Sequence, residues 1–113
     1  MSDKTIFARI IDRELPADIV YEDDRCLAFR DIAPVAPTHV LVVPKEPLDK
    51  IENMTESMEG LVGHLVFVAS QIAKQEGLTG FRLVMNNGAE VGQSVFHIHL
   101  HVLGGRSMSW PPG

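Results

Sequence analysis

The sequence predicts an α+β fold built on a mostly antiparallel sheet. Three observations carry that expectation. Strand-like segments follow one another without a helix between them at 19–30, and again at 81–103. A single long amphipathic stretch, about 56–75, is available to cover the sheet. No Gly-, Ser- or Pro-rich linker divides the 113 residues, so one domain is expected over 1–113.

Residues 3–12 read as a short helix. Asp3 or Thr5 can cap it, Ile6, Phe7, Ile10 and Ile11 form its apolar face, and Leu15-Pro16 ends it. Ile19 to Glu22 and Cys26 to Arg30 read as strands of a hairpin around the turn Asp23-Asp24-Arg25. Pro34 and Pro37 make 31–38 a loop. His39 to Val43 is β-branched and apolar on both faces, which places it in the sheet interior. The long helix shows Leu61, Leu65, Val68 and Ile72 at helical spacing, widened by Val62, Val66 and Ala69. Thr55 suits its N-cap and Gly77 its C-terminal stop. Phe81 to Met85 reads as a strand and Asn86-Asn87-Gly88 as a turn. Val95 to Leu103 reads as the last strand.

Charge and composition exclude several function classes. The net charge of −5 leaves no basic stripe to displace counterions from nucleic acid. No apolar run approaches the 18–20 residues or so that span a bilayer. Cys26, the one cysteine, cannot form an internal disulfide. The opening residues lack a secretory or transit pattern, so a cytoplasmic location is expected.

The chemistry concentrates in the last strand. His97, His99 and His101 alternate with Ile98, Leu100 and Val102, which puts the three rings on one face and the apolar set, with Phe96, in the core. A solvated face would not need three imidazoles. A metal site is a second reading, but His97 and His101 would stand about 13 Å apart on a flat strand, so only two of them plus His39 could share an ion. Nucleophilic catalysis at phosphorus is the third, since a neutral imidazole can attack and its neighbours can stabilise phosphoryl oxygens. The loop from Gly88 to Ser94 directly precedes the strand, and its glycines allow backbone N–H groups near a phosphate.

His97-Ile98-His99-Leu100-His101-Val102-Leu103 resembles the signature of the histidine triad superfamily. The stretches 31–39, 92–97 and 103–106 and the terminal Trp110-Pro111-Pro112-Gly113 are similar to its nucleotide-binding branch, the purine nucleoside phosphoramidases. The resemblance implies a five-stranded sheet, one long and one short helix, and a homodimer joined through the long helix and a strand. It implies hydrolysis of a purine nucleoside 5′-phosphoramidate with no cofactor and no metal. His99 would be the nucleophile, His97 and His101 would contact phosphate and orient it, His39 would complete the cluster, and Ser94 would lie near the leaving group. Asp31 would hold the ribose. Ile6, Phe7, Ile10, Phe29, Ile32 and Leu41 would form the purine slot. Asn86, Gly92 and Gln93 would lie on the nucleotide, and Trp110 near the partner's site. Dinucleoside polyphosphate hydrolysis, nucleotidyl transfer, and a non-catalytic nucleotide- or zinc-binding module are the competing functions. Phe96, Asn87 and Ser107-Met108-Ser109 depart from familiar members, which touches leaving-group preference. His64 lies outside the motif and is expected at a surface or interface.

Overall fold

The computed structural model describes residues 4–113. In chain order it contains α1 (Ile6–Ile11), β1 (Ile19–Glu22), β2 (Cys26–Arg30), β3 (Thr38–Pro44), α2 (Glu59–Gln75), β4 (Phe81–Val84) and β5 (Leu100–Gly104). The five strands form one sheet in the order β1-β2-β3-β5-β4, and each neighbouring pair is antiparallel. The central strand β3 is buried from end to end, as its unbroken apolar run predicts.

Alternation along the strands sorts side chains onto two faces. Cys26, Ala28, Val40, Val42, Leu100 and Val102 face α2 and pack with Leu65, Val68 and Ile72. Leu27, Phe29, Leu41 and Val43 face the other way and pack with Phe7 and Ile10 of α1. Val66 and Phe67 of α2 remain exposed. No helix among the described residues is long and apolar enough to cross a membrane.

Both helices end in the same way. Beyond α2, Gly77 has φ +70°, its N–H reaches the Lys74 carbonyl, and the Leu78 N–H reaches that of Ala73. This left-handed exit satisfies carbonyls that the helix leaves unpaired. α1 uses the same turn with Arg13 at φ +63°, well before Leu15-Pro16. At its start the Thr5 hydroxyl accepts from the Ala8 N–H, while Asp3 lies outside the described residues.

The starts of α2 and of the last strand differ from the sequence expectation for reasons the structure shows. α2 begins at Glu59, because Glu56–Met58 forms a 3₁₀ turn and the Thr55 hydroxyl bonds that of Ser57 instead of a helix amide. The last strand starts at Leu100, not Val95. Its ladder with β3 stops at Val42↔Leu100 because the next position on β3 in that alternation is Pro44, which has no N–H to donate. The Ile98 N–H pairs with the Leu48 carbonyl instead. Ile98 still enters the core, but Phe96 is 43% exposed and does not.

Candidate functional site

A cavity of about 490 Å³ opens on the sheet face that α1 covers. Its size falls within the range of small-molecule sites, roughly 300–1,000 Å³. α1 brings Ile6, Phe7 and Ile10 to it, β2 brings Phe29, β3 brings Leu41, and the loop after β2 brings Asp31 and Ile32. Asn86, Gly92 and Ser94 come from the β4–β5 connection, and His99 and His101 close the far wall. Leu15, Pro16, Ala17, Arg30 and Val95 also line it. Sequence reasoning missed these five because their place depends on how the chain runs after α1, at the end of β2 and before β5, not on spacing. A second cavity, about 590 Å³, lies between Gly77–Arg82 and Gly105–Met108 and holds none of the expected site residues.

Four expected residues, His39, His97, Gln93 and Trp110, are not on the cavity wall. His97 is 2% exposed and donates its Nε2–H to the Pro44 carbonyl at 2.7 Å. Gln93 is also 2% exposed, and its side chain turns to backbone groups. Trp110 is 81% exposed and stands apart from this cavity.

The histidine rings form a chain whose proton positions follow from their partners. The Val35 N–H donates to His39 Nδ1 at 3.1 Å, so neutral His39 carries its proton on Nε2. That Nε2–H donates to His101 Nδ1 at 2.9 Å, which leaves the His101 proton on Nε2. His99 donates its Nδ1–H to the His97 carbonyl at 2.9 Å. Its Nε2 is therefore the unprotonated nitrogen. The His99 and His101 ring centres stand 5.0 Å apart, and Phe7 packs its edge against His99 at 4.9 Å.

Burial disfavours the charged form of three of these rings, His39, His97 and His101. It pushes His101 down to about 4, helped by the charges that His99 and His39 would carry. Burial also lowers His39, against the nearby Asp31 carboxylate, and lowers His97, against its bond to the Pro44 carbonyl. Asp31 Oδ2 lies 3.4 Å from His39 Nε2, while Oδ1 accepts from the Ala33 N–H.

Among the described residues, two trios bring ligand-type atoms within 4.8 Å of one another: Asp31, His39 and His101, and Asp23, Cys26 and His64. The first is already joined by the His39–His101 hydrogen bond. In the second, His64 Nε2–H donates to Asp23 at 2.6 Å and Arg25 donates to His64 Nδ1 at 3.0 Å. Burial first, then the Asp23 charge, pushes the Cys26 thiol up to about 12, far from the thiolate a metal requires.

The glycine loop differs from its expected use. The Val91 and Gln93 N–H groups donate to the Gly88 carbonyl, and the Gly92 N–H to that of Ala89. These amides are spent inside the loop. Its contribution to the cavity is Gly92, Ser94 and Val95.

The chain is similar to known proteins over nearly its whole length. The family model described as the HIT domain matches residues 12–108, and the chain belongs to that family. It is 58% identical, over the whole of both chains, to an uncharacterized HIT-like protein of Synechococcus elongatus and to another of Synechocystis. The crystal structure of a HIT family hydrolase from Legionella pneumophila superposes with a TM-score of 0.95 at 46% identity, covering 97% of this chain and 100% of that one. A histidine triad nucleotide-binding protein from Candida albicans gives 0.79 at 27% identity, covering 96% and 83%.

Proposed function

We propose that this chain hydrolyses purine nucleoside 5′-phosphoramidates through a covalent nucleotidyl-histidine on His99. The observation that carries the reading is the His99–His97 hydrogen bond. It fixes the protonated nitrogen as Nδ1 and leaves a lone pair on Nε2 of a ring that lines the cavity. Membership in a family whose relatives include named hydrolases and a named nucleotide-binding protein supports it further.

The reaction proceeds by two displacements at phosphorus. His99 Nε2 attacks the α-phosphorus, a nitrogen–phosphorus bond forms, and the bond to the leaving amine breaks. His101 Nε2–H donates to a phosphoryl oxygen as negative charge builds there. The amine leaves with a proton drawn from a donor on the cavity wall, where Ser94 and His101 both lie. Water then attacks the adduct at phosphorus, the bond to His99 Nε2 breaks, and the water proton refills the donor that protonated the amine, which releases the nucleoside monophosphate with His99 neutral again. Ile6, Phe7, Ile10, Phe29, Ile32 and Leu41 offer the base an apolar slot, and Asp31 can accept from the ribose hydroxyls. Burial disfavours charge on His39, His97 and His101, so His101 acts at the phosphate as a neutral donor whose tautomer His39 sets, while His97 supports His99 through its backbone carbonyl. The domain acts as a homodimer in this reading. Exposed Val66 and Phe67 on α2 give a partner apolar surface, and the projecting Trp110 can reach the partner's site.

The test is hydrolysis of adenosine 5′-phosphoramidate, with diadenosine tetraphosphate alongside and a chelator in parallel. We expect wild type to turn over the phosphoramidate preferentially, with or without chelator, and His99→Ala to lose at least about 10³-fold in kcat, a barrier change of about 4 kcal/mol. Full activity of His99→Ala, or loss of wild-type activity on chelation, overturns the mechanism. Preference for the dinucleotide moves the substrate class.

A further inference from the structure

We propose that Gln93 is a positioning residue that sets the conformation of the loop presenting Ser94 and Gly92 to the substrate phosphate. The inference rests on the nucleotide reading above and adds to it a group that does not line the cavity. Gln93 is 2% exposed, and both ends of its amide are used. Its Oε1 accepts from the Gly88 N–H at 2.8 Å. Its Nε2 donates to the Asp49 carbonyl at 2.7 Å and to the Val95 carbonyl at 3.1 Å. One side chain therefore joins the start of the loop, its end, and the chain before α2.

The loop needs such a brace. Gly88 and Gly92 both have φ near +106°, a region that L side chains rarely adopt, so local preference does not hold this path. Nor does a neighbouring strand, since the segment lies between the ends of β4 and β5. The loop is tied once more from outside, where Asn87 and Glu52 exchange two hydrogen bonds, at 2.9 and 2.7 Å. That second tie is exposed, whereas the Gln93 bonds are part-buried, where an unpaired partner is costly. Gln93 is adjacent to both Gly92 and Ser94, so any shift of its backbone moves the two loop groups that face the cavity beside His99.

A brace for phosphate contacts makes a prediction that a general stabiliser does not. Gln93→Met keeps the bulk and removes the hydrogen bonds. AMP and adenosine affinities are measured by calorimetry on wild type, Gln93→Met and the milder outside variant Asn87→Ala, with thermal unfolding in parallel. We expect Gln93→Met to weaken AMP at least 10-fold and adenosine less than 3-fold, with a fall in kcat for the phosphoramidate. Asn87→Ala shows the same phosphate-selective pattern at a few-fold. Equal losses for both ligands, or no loss for either, overturn the positioning role. If Gln93→Met does not fold, Asn87→Ala decides: a non-selective effect there overturns the proposal. Wild type that binds neither ligand instead sinks the nucleotide reading on which the proposal stands.

Discussion

The two faces of the sheet are made from the same strands and do opposite work. On the α2 face, Ala28, Val40, Val42, Leu65, Val68, Ile72, Ile98 and Val102 are at most 1% exposed. On the other face the six-residue α1 covers less, and a cavity remains with His99 and His101 in its wall. Their histidines differ correspondingly. His64, in α2, is held between two charged side chains, donating to the Asp23 carboxylate at 2.6 Å and accepting from Arg25 at 3.0 Å. His101 has another imidazole at 2.9 Å and burial that disfavours charge. The well-packed face supplies stability; the open face can then hold polar groups in positions that stability alone would not select.

The sharpest way to break this division is to damage the dry face. Leu65 is fully buried among the β2, β3 and β5 side chains. Leu65→Ala should cost about 2–5 kcal/mol, read by chemical denaturation, because the cavity it leaves cannot fully collapse. AMP affinity of the folded fraction should change less than 3-fold. A large loss of affinity at unchanged stability would mean that the faces are not separable in this way.

This division was legible in the sequence because it depends on a period of two. Alternation across Phe29, Leu41 and His101 needs no partner to be read, and the structure places all three on the cavity wall. The unbroken apolar run at 40–43 marked the centre of the sheet for the same reason. What could not be read depends on distant pairing. The last strand loses its first five residues because Pro44, more than 50 positions away, cannot donate to it. The histidine tautomers depend on the carbonyl of His97 and the amide of Val35, which no side-chain pattern encodes. Gln93 has the residue type of a ligand contact, yet its direction is set by the Asp49 carbonyl.

Acid should separate the faces next. Burial holds His39, His97 and His101 below the ordinary histidine value, with His101 at about 4. Such groups bind protons more readily when the chain is unfolded. Stability contributed by the neutral rings is therefore present above about pH 6.5 and falls as pH drops toward 4. For His101 alone the loss approaches about 2–3 kcal/mol across that window. Urea denaturation at pH 7.5 and pH 4.5 measures it, and His101→Asn should flatten the slope. A pH-independent midpoint between those values would contradict a neutral, buried cluster.

The smallest effect belongs to the α2 side and should run opposite to acid. Burial opposes ionisation of Asp23, but hydrogen bonds from His64, Tyr21 and the Arg25 and Cys26 amides outweigh it and hold the carboxyl well below the usual range. A carboxylate lowered in the folded state stabilises at every pH above its unfolded value near 3.8, and that contribution is lost only below it. The Asp23 bonds should therefore persist through the window in which the cavity-side histidines fail. Asp23→Asn keeps an acceptor for the two amides and removes the oxygen that accepts from His64 and Tyr21, so its cost should be about 1–2 kcal/mol, the usual net worth of one or two hydrogen bonds. The cost should be the same at pH 7.5 and pH 4.5, and phosphoramidate kcat should not change. A cost that disappears at pH 4.5 would mean that the pair titrates with the cavity cluster, and the contrast between the two histidine environments would fail.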